Sequence, residues 1–303
     1  MTSGLFSIPS NLRGRVRFAA VLFVSLAFFG GARSSEAQSL NWEGQTGVFV
    51  TPLAYTAPSS PGKAGRPVLA YHFLNAGEVL GNFHTTSVTI GLLGRAEFGY
   101  TRTFHQPGDT AGLSPLWSGG FNILHGKVNL VPEDAGKQKW APALSAGFVA
   151  RTGVNHVSGV LANKQYNNGD FYLVATKTVT QVKGLPLVFN LGYKATNASV
   201  FGLAGNAPAY TGRLFGAAAF VLKGPASSQL IFGSEFAQQP RKVQNLPGAI
   251  VPTTITYVTR IVPLPERAKF NIDFGVAQAA GKILPGVDLK VRHQFALGIS
   301  YGL

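Results

Sequence analysis

Apolar and polar residues alternate one by one along much of the chain. The alternation is clearest from Ala268 to Ala277, from Leu289 to Leu303 and from Leu187 to Lys194. A period of two places each set of side chains on one face of a β-strand, whereas on a helix the apolar residues would spread around the whole cylinder. The pattern therefore predicts strands.

The same pattern predicts twelve strands. They lie near 66–74, 83–92, 95–104, 121–131, 142–152, 170–182, 186–196, 211–222, 228–237, 252–262, 268–277 and 289–302. Short turns that contain Gly or Pro alternate with longer loops rich in Gly, Asn and Pro. The longer loops are predicted at 105–120, 153–169, 197–210, 238–251 and 278–288. Short turns at one end and long loops at the other are typical of a bacterial outer-membrane barrel.

Composition favours a membrane barrel over a soluble β-sandwich. Hydrophobic residues make up 46% of the chain and charged residues only 13%, which is little charge for a soluble surface. Since lipid cannot pair backbone groups, a sheet spans a membrane only when it closes on itself. The sequence predicts an all-β, antiparallel, up-and-down transmembrane β-barrel of about 12 strands, within a range of about 10 to 14. Its interfacial aromatic residues are expected to be Tyr71, Phe73, Tyr100, Phe104, Tyr193, Phe236, Tyr257, Phe270 and Tyr301.

The N-terminus has the order of a secretory signal peptide. Arginines at 13, 15 and 17 precede an apolar run over 18–29 and small residues up to Ala37. The alternative, a retained membrane anchor, is less favoured because the apolar run is short for a span. Cleavage after Ala37 removes four arginines and one glutamate, which lowers the net charge from +14 to +11. We expect a signal peptide over 1–37, a periplasmic extension, extra strand or plug over 38–65, and a barrel over 66–303.

Three stretches resemble a known protein family. They are the motif from Gly44 to Pro52 (GQTGVFVTP), the turn from Gly91 to Tyr100 (GLLGRAEFGY) and the closing strand. Here the chain resembles an uncharacterised family of proteobacterial outer-membrane β-barrel proteins and is similar, more loosely, to the YjbH-like barrels associated with exopolysaccharide production. The resemblance implies the cell outer membrane and a link to polysaccharide export, with no catalytic residues. Outer-membrane proteins commonly end on an aromatic residue, whereas this chain ends Tyr301-Gly302-Leu303, which weakens the signal for the barrel assembly machinery.

Basic residues outnumber acidic ones at the positions expected to face the lumen. The acids are Glu97, Glu235 and Asp273. A low-dielectric wall focuses such a surplus and concentrates anions, which predicts a pore or binding channel for anionic solutes. The alternative is that these bases pair with acids, carbonyls or lipopolysaccharide phosphates. The expected basic lining is Arg95, Lys127, Arg151, Lys194, Arg213, Arg260, Lys269, Lys290 and Arg292.

Signals for enzymatic chemistry are weak. Gly298-Ile299-Ser300-Tyr301-Gly302 matches the nucleophile-elbow string, but it lies inside the predicted last strand with no helix after it. The six histidines, at 72, 84, 105, 125, 156 and 293, stand beside no obvious pair of serine and acid. The chain has no cysteine, no zinc-ligand spacing and no phosphate-binding loop. We expect no enzymatic activity, no metal, no cofactor and no nucleic-acid partner.

These observations lead to a ranked set of functions. The first is a passive channel or polysaccharide-export accessory with a basic, anion-favouring lumen. The alternative is a non-conducting structural or adhesive barrel that acts through its long extracellular loops, and an outer-membrane lipid hydrolase is less favoured. Expected partners are outer-membrane lipid and lipopolysaccharide, the barrel assembly machinery, and an anionic solute or polysaccharide.

Overall fold

Alternating residues form the strands of one closed sheet. The computed structural model describes residues 39–113, 115–163, 167–182, 184–263, 270–278, 282–285 and 287–303. The predicted signal peptide and Lys269 lie outside these residues. Twelve long strands are present: β1 (Ala64–Asn75), β2 (Asn82–Leu92), β3 (Ala96–Gln106), β4 (Phe121–Val131), β5 (Ala143–Thr152), β6 (Asn168–Val179), β7 (Leu187–Ser199), β8 (Gly205–Lys223), β9 (Gln229–Ala237), β10 (Thr254–Val262), β11 (Phe270–Gln278) and β14 (Gln294–Gly302).

Each barrel strand pairs antiparallel with its neighbours along the chain, and β1 closes the ring against β14. At the seam Ala70 lies opposite Ser300 and Phe73 opposite Leu297. A small separate sheet joins β12 (Lys282–Leu284) to β13 (Val287–Asp288). Two short helices, α1 (Gly77–Leu80) and α2 (Val157–Leu161), lie in connections. The predicted all-β, up-and-down barrel of twelve strands is confirmed.

The connections divide between the two ends of the barrel. At the short-turn end the links are 93–95, 132–142, 180–186, 224–228 and 263–269. At the long-loop end they are 76–81, 107–120, 153–167, 200–204, 238–253 and 279–293. The loop expected over 197–210 shrinks to five residues, because β7 and β8 extend toward each other.

The last strand is shorter than predicted. It was expected over 289–302 but begins at Gln294. Lys290 and His293 have φ of 54° and 55°, a left-handed conformation that no strand contains, and the N–H of Arg292 donates to the carbonyl oxygen of Lys290. The alternation through 289–293 therefore belongs to a loop.

Outward side chains of the barrel are apolar and exposed. Phe171, Tyr193 and Tyr257 each expose more than half of their surface, as does Leu173. Seven of the nine aromatic residues expected at the interfaces are among the exposed side chains, while Phe73 and Phe270 are half-buried. Inward positions are instead small and polar, and buried threonines recur there: Thr85, Thr89, Thr101, Thr103, Thr176, Thr196 and Thr256. Among the described residues no helix is long and apolar enough to cross a membrane.

Candidate functional site in the barrel lumen

The segment before β1 lies inside the ring of strands. We call residues 39–57 the plug. Most of its side chains are buried, and it folds back on itself through bridges between Leu40 and Thr46 and between Gly47 and Pro52. The side-chain oxygen of Asn41 accepts hydrogen bonds from the N–H groups of Glu43, at 3.0 Å, and Gln45, at 2.9 Å. An asparagine that binds backbone two residues on stabilises a tight turn.

Glu235 of β9 holds the second turn of the plug by its backbone. Its carboxylate accepts hydrogen bonds from the N–H groups of Phe49, Val50 and Thr51, at 3.0, 2.8 and 2.8 Å, and from the Thr51 hydroxyl at 2.7 Å. Charge-assisted bonds of this kind are about twice as strong as neutral ones. One wall side chain thus fixes three consecutive residues.

A second carboxylate, Glu97 of β3, does the same on the opposite side of the plug. It accepts hydrogen bonds from the N–H of Thr46 at 3.0 Å, the Thr46 hydroxyl at 2.6 Å and the N–H of Ala57 at 2.8 Å. Lys127 of β4 pairs with Glu97 at 3.0 Å and donates to the carbonyl oxygens of Thr46 and Leu53, both at 2.9 Å. This pair therefore satisfies both donors and acceptors of the plug backbone.

Arg151 of β5 ties a plug side chain to the wall. Its guanidinium contacts Glu43 at 2.6 Å and Asp170 of β6 at 2.9 Å, and all three groups are buried. Lys194 of β7 lies 3.5 Å from Asp170 and stacks over the ring of Phe201. Removing one member of such a group leaves an uncompensated buried charge, which costs about 3–5 kcal/mol.

Arg260 of β10 completes the charged contacts. It forms a two-point ion pair with Asp273 of β11, at 2.7 and 2.9 Å, and donates to the carbonyl oxygens of Gly47 and Val48 at 3.1 and 3.2 Å. The hydroxyl of Ser39 donates to Asp273 at 3.1 Å. The plug is thus bound from this side of the barrel as well, at Ser39 and at Gly47 and Val48.

Neutral side chains fill the remaining positions around the ring. They are His72 of β1 on the Leu40 carbonyl at 3.0 Å, Thr89 of β2 on the Gly44 carbonyl at 2.6 Å, Tyr172 of β6 accepting from Gln45 at 2.6 Å, Asn190 of β7 on the Pro52 carbonyl at 3.1 Å, and Ser300 of β14 accepting from the N–H of Leu40 at 3.2 Å. Eleven of the twelve barrel strands therefore bond to the plug. Beside it lies a cavity of about 20 Å³, which Asp170 and Lys194 line with Gln45 and Phe215. A cavity of this size is enough for one water molecule.

The glycine at position 44 is required by the fit of the plug. Gly44 has φ of +88°, and a Cβ placed there would overlap the hydroxyl of Thr101 and lie 3.1 Å from His125. Only glycine adopts this conformation at no steric cost. The first residue of the GQTGVFVTP motif is thus explained by contact with the wall.

Four loops cover the lumen at the long-loop end. We call residues 115–120, 153–163, 200–204 and 238–251 the lid. The Trp117 indole N–H donates to the Leu203 carbonyl at 3.0 Å, and the N–H of Val200 donates to Gln239 at 2.9 Å. Apolar residues of the lid join Trp42 and Phe49 of the plug in one buried cluster: Leu116, Trp117, Val154, Val200, Phe201, Leu203, Val243, Ala249 and Val251. The lumen is therefore filled by the plug and covered by the lid.

A family model described as a protein of unknown function (DUF3034) matches residues 40–253. The chain belongs to this family. The matched region begins in the plug and ends in the loop before β10. No curated protein matches this chain in sequence. Among solved structures, the β domain of the Bordetella autotransporter Brka matches at 11% identity, covering 80% of this chain and 100% of that domain with a TM-score of 0.34. The expected similarity to YjbH-like barrels stays a prediction.

The nine bases expected to line the lumen of this DUF3034 protein fall into three groups. Lys127, Arg151 and Lys194 are buried in the lumen, with Arg260 partly buried beside them, and all four are in ion pairs. Arg213 is half-buried on β8 and donates to the carbonyl of Gly212. The others do not line the described lumen: Arg95 lies in the turn between β2 and β3, Lys290 and Arg292 are exposed in the loop before β14, and Lys269 lies outside the described residues.

The expected positive surplus is absent from the described part of the lumen. Five carboxylates lie there, namely Glu43, Glu97, Asp170, Glu235 and Asp273, beside the four paired bases. Two of these acids, Glu43 and Asp170, were not among those predicted from the sequence. Asp170 shares the inward parity of Tyr172 and Val174, a signal that the strand pattern already contained. Glu43 lies on the plug, and no strand periodicity could have placed it in the lumen.

Two of the histidines lie in the lumen. His72 and His125 are fully buried in the lumen, where His72 bonds to the plug and His125 lies 3.2 Å from Thr89. Across the described residues, no group of His, Asp and Glu side chains has an arrangement that could hold a metal ion.

Proposed function

We propose that this protein is an outer-membrane barrel that is closed by its own N-terminal segment and acts through its long-loop end. The observation that carries this proposal is the bonding of residues 39–57 to eleven of the twelve strands. In the described part of the chain, most plug side chains are buried, and the lid packs on Trp42 and Phe49 of the plug. Of the functions expected from the sequence, this geometry favours the non-conducting structural or adhesive barrel.

The membrane location rests on the outer surface of the barrel. Closure of β1 on β14 gives each of the twelve barrel strands a partner on both sides, which is what a sheet in lipid requires. Exposed Phe, Tyr and Leu side chains cover the outside, where a soluble protein would place charge. In the usual orientation of outer-membrane barrels the short turns face the periplasm and the long loops face the cell exterior. The signal peptide and the assembly machinery as a partner belong to the same proposal.

An anion-selective lumen is not favoured by the charges. The bases in the lumen are neutralised by carboxylates at 2.6–3.5 Å, and Lys127 and Arg260 also donate to plug carbonyls. Field focusing needs an excess of one sign. In this proposal a polysaccharide binds the exterior loops and does not pass through the barrel.

Bilayer conductance tests the proposal. The mature chain, refolded into planar bilayers, should show no channel steps, whereas a chain that lacks residues 39–57 should conduct. Glu235→Ala serves as a second variant if the shortened chain does not fold, since it removes four hydrogen bonds from the plug and should produce brief openings. Migration on unheated gels reports whether each barrel is folded.

A gated channel is the second candidate, because polar groups line the lumen and would be hydrated once the plug leaves. A disulfide between the plug and β14 distinguishes a permanently closed barrel from a gated channel. The hydroxyls of Ser39 and Ser300 lie 3.3 Å apart, and the chain has no cysteine, so Ser39→Cys with Ser300→Cys gives one unique disulfide. Steps in the mature chain that vanish in the oxidised tethered chain would establish gating. Channel steps of the same size in the mature chain and in the oxidised tethered chain would overturn the closed lumen, whereas silence in both supports it.

A further inference from the structure

Three polar side chains, two from the 153–163 part of the lid and one from β8, meet at the long-loop end. The Ser158 hydroxyl lies 3.0 Å from Nδ1 of His156, and Nε2 of His156 lies 3.0 Å from the side-chain oxygen of Asn206. His156 is the N-cap of α2 and Ser158 its second residue, while Asn206 is the second residue of β8. The first two are separated by one residue in sequence, but nothing in the sequence places Asn206 beside them.

The hydrogen bonds assign a role to each ring nitrogen of His156. The N–H of Gly159 donates to Nδ1 at 3.0 Å, so Nδ1 is unprotonated and also accepts from the Ser158 hydroxyl. The ring proton is then on Nε2 and is donated to Asn206. Asn206 is itself fixed, since it donates to the Asn167 carbonyl at 2.9 Å and accepts from Asn168 at 3.1 Å. A nucleophile, a base and a group that orients the base are the arrangement of a catalytic triad.

The surroundings of Ser158 indicate how a substrate reaches it. The side chain is fully buried, and a Cβ added to Gly205 would lie 2.7 Å from its hydroxyl and 3.1 Å from Val243. Asn245 of the same loop as Val243 donates to the Ser158 carbonyl at 3.3 Å. The 238–251 part of the lid therefore covers the serine and must move aside before a substrate enters.

Exposed apolar side chains lie on α2 itself and on strands β6 and β8. Val160 and Leu161, two and three residues after Ser158, expose 45% and 59% of their surface. On the barrel wall, Phe171 and Tyr210 are exposed with their rings 6.4 Å apart. Aromatic rings mark the membrane interface in barrels, so exposed aliphatic side chains on a loop helix are suited to a substrate that carries an acyl chain.

We propose that Ser158, His156 and Asn206 form a hydrolase site for acyl esters of membrane lipids, which goes beyond the closed-barrel function and does not depend on the plug. The Ser158 oxygen attacks the ester carbonyl carbon and its proton passes to Nδ1 of His156. The C–O bond to the alcohol breaks, and His156 returns the proton to the leaving alcohol. Water then attacks the acyl-serine by the same route and releases the fatty acid. Asn206 is a positioning residue that keeps the ring proton on Nε2.

Covalent labelling and hydrolysis test the site in the full mature chain, both in micelles and in lipid vesicles. A fluorophosphonate probe should label Ser158, as identified by peptide mass spectrometry, and p-nitrophenyl octanoate and phosphatidylglycerol vesicles should be hydrolysed. His156→Asn keeps a good helix N-cap but removes the base, so hydrolysis should fall about 100-fold or more. Asn206→Ala should shift the pH profile of the rate, with partial rescue by Asn206→Asp.

Controls keep the test decisive. Ser118→Ala changes an exposed lid serine and should leave labelling and hydrolysis unchanged. Ser158→Ala should abolish both, and single-channel recordings of this variant should match those of the parent chain. If a folded, heat-modifiable barrel takes no probe at Ser158 and hydrolyses neither substrate in micelles or vesicles, the proposal is wrong. Hydrolysis that persists in Ser158→Ala would overturn it equally.

Discussion

The plug and the lid close the same lumen with different forces. The plug is held by charged wall side chains, Glu97, Lys127, Glu235 and Arg260 among them, that bind mostly its backbone. The lid is held by apolar packing around Trp117, Val200 and Val243 and by hydrogen bonds between neutral groups. Removing one partner of a buried ion pair leaves the other charge uncompensated and costs a large free energy of unfolding in one step. Removing apolar contacts costs free energy in proportion to the buried area that is lost. The two regions should therefore respond differently to single substitutions.

Arg151→Ala should give the largest effect. It leaves Glu43 and Asp170 buried without their main counter-charge, and only Lys194 of the described wall stays near Asp170. We expect a loss of about 3–5 kcal/mol in the free energy of unfolding, measured by urea titration in micelles. Arg66→Ala, at an exposed position on β1, is the matched control and should change stability by less than about 0.5 kcal/mol.

A double variant shows whether the loss in Arg151→Ala comes from the plug or from the wall. Glu43→Gln combined with Arg151→Ala should recover part of the stability, because the plug then carries no unpaired carboxylate. If the double variant is as unstable as the sum of the two single variants, Glu43 and Arg151 are not coupled, and the charged grip on the plug is disproved.

The barrel was predictable from sequence because a strand that separates lipid from lumen must alternate. The alternation failed at one point, the residues from Leu289 to His293, since a period of two carries no information about the left-handed φ of Lys290 and His293. The alternation places Lys127, Arg151 and Lys194 on the inward face, where the structure has them, but it does not show which groups they contact. Some of these groups belong to the plug, where Glu43 follows no strand pattern. The sequence therefore predicts a pore with a surplus of positive charge, whereas the structure has a filled lumen in which these bases are paired with carboxylates.

Trp117→Phe should give a smaller effect that is confined to the lid. It removes the indole bond to Leu203 and part of the ring area that packs on Phe83. We expect about 1–2 kcal/mol less protection of lid amides in hydrogen exchange, with the melting temperature of the barrel nearly unchanged. Trp140→Phe is the control, since Trp140 is 73% exposed in the turn between β4 and β5. A fall in barrel stability equal to that of Arg151→Ala would show that lid and plug are one cooperative unit.

The pH dependence of the lid gives the smallest expected effect. Burial lowers the pKa of His156 below its ordinary value of 6.5, although the hydrogen bond to Asn206 acts in the opposite direction. The closed lid therefore binds fewer protons than the open one, and its stability is complete above pH 6.5 and decreases as the pH falls from there through the lowered pKa.

Only one proton binds His156 when the lid opens. The stability of the closed lid therefore falls by about 1.4 kcal/mol for each pH unit between the two pKa values. Hydrogen exchange of amides 157–162, corrected for the intrinsic rate, should show more frequent opening at pH 5.5 than at pH 7.5. His156→Asn keeps the helix cap and has no titrating ring, so its opening should be independent of pH. Since the same histidine is the base of the proposed hydrolase site, acid should open the lid over Ser158 while protonating the group that activates it. The extra open lids all carry a protonated His156, so the rate of hydrolysis should stay level just below pH 6.5 and fall only as the pH passes through the lowered pKa. A rate that rose with acid would separate the lid from the chemistry.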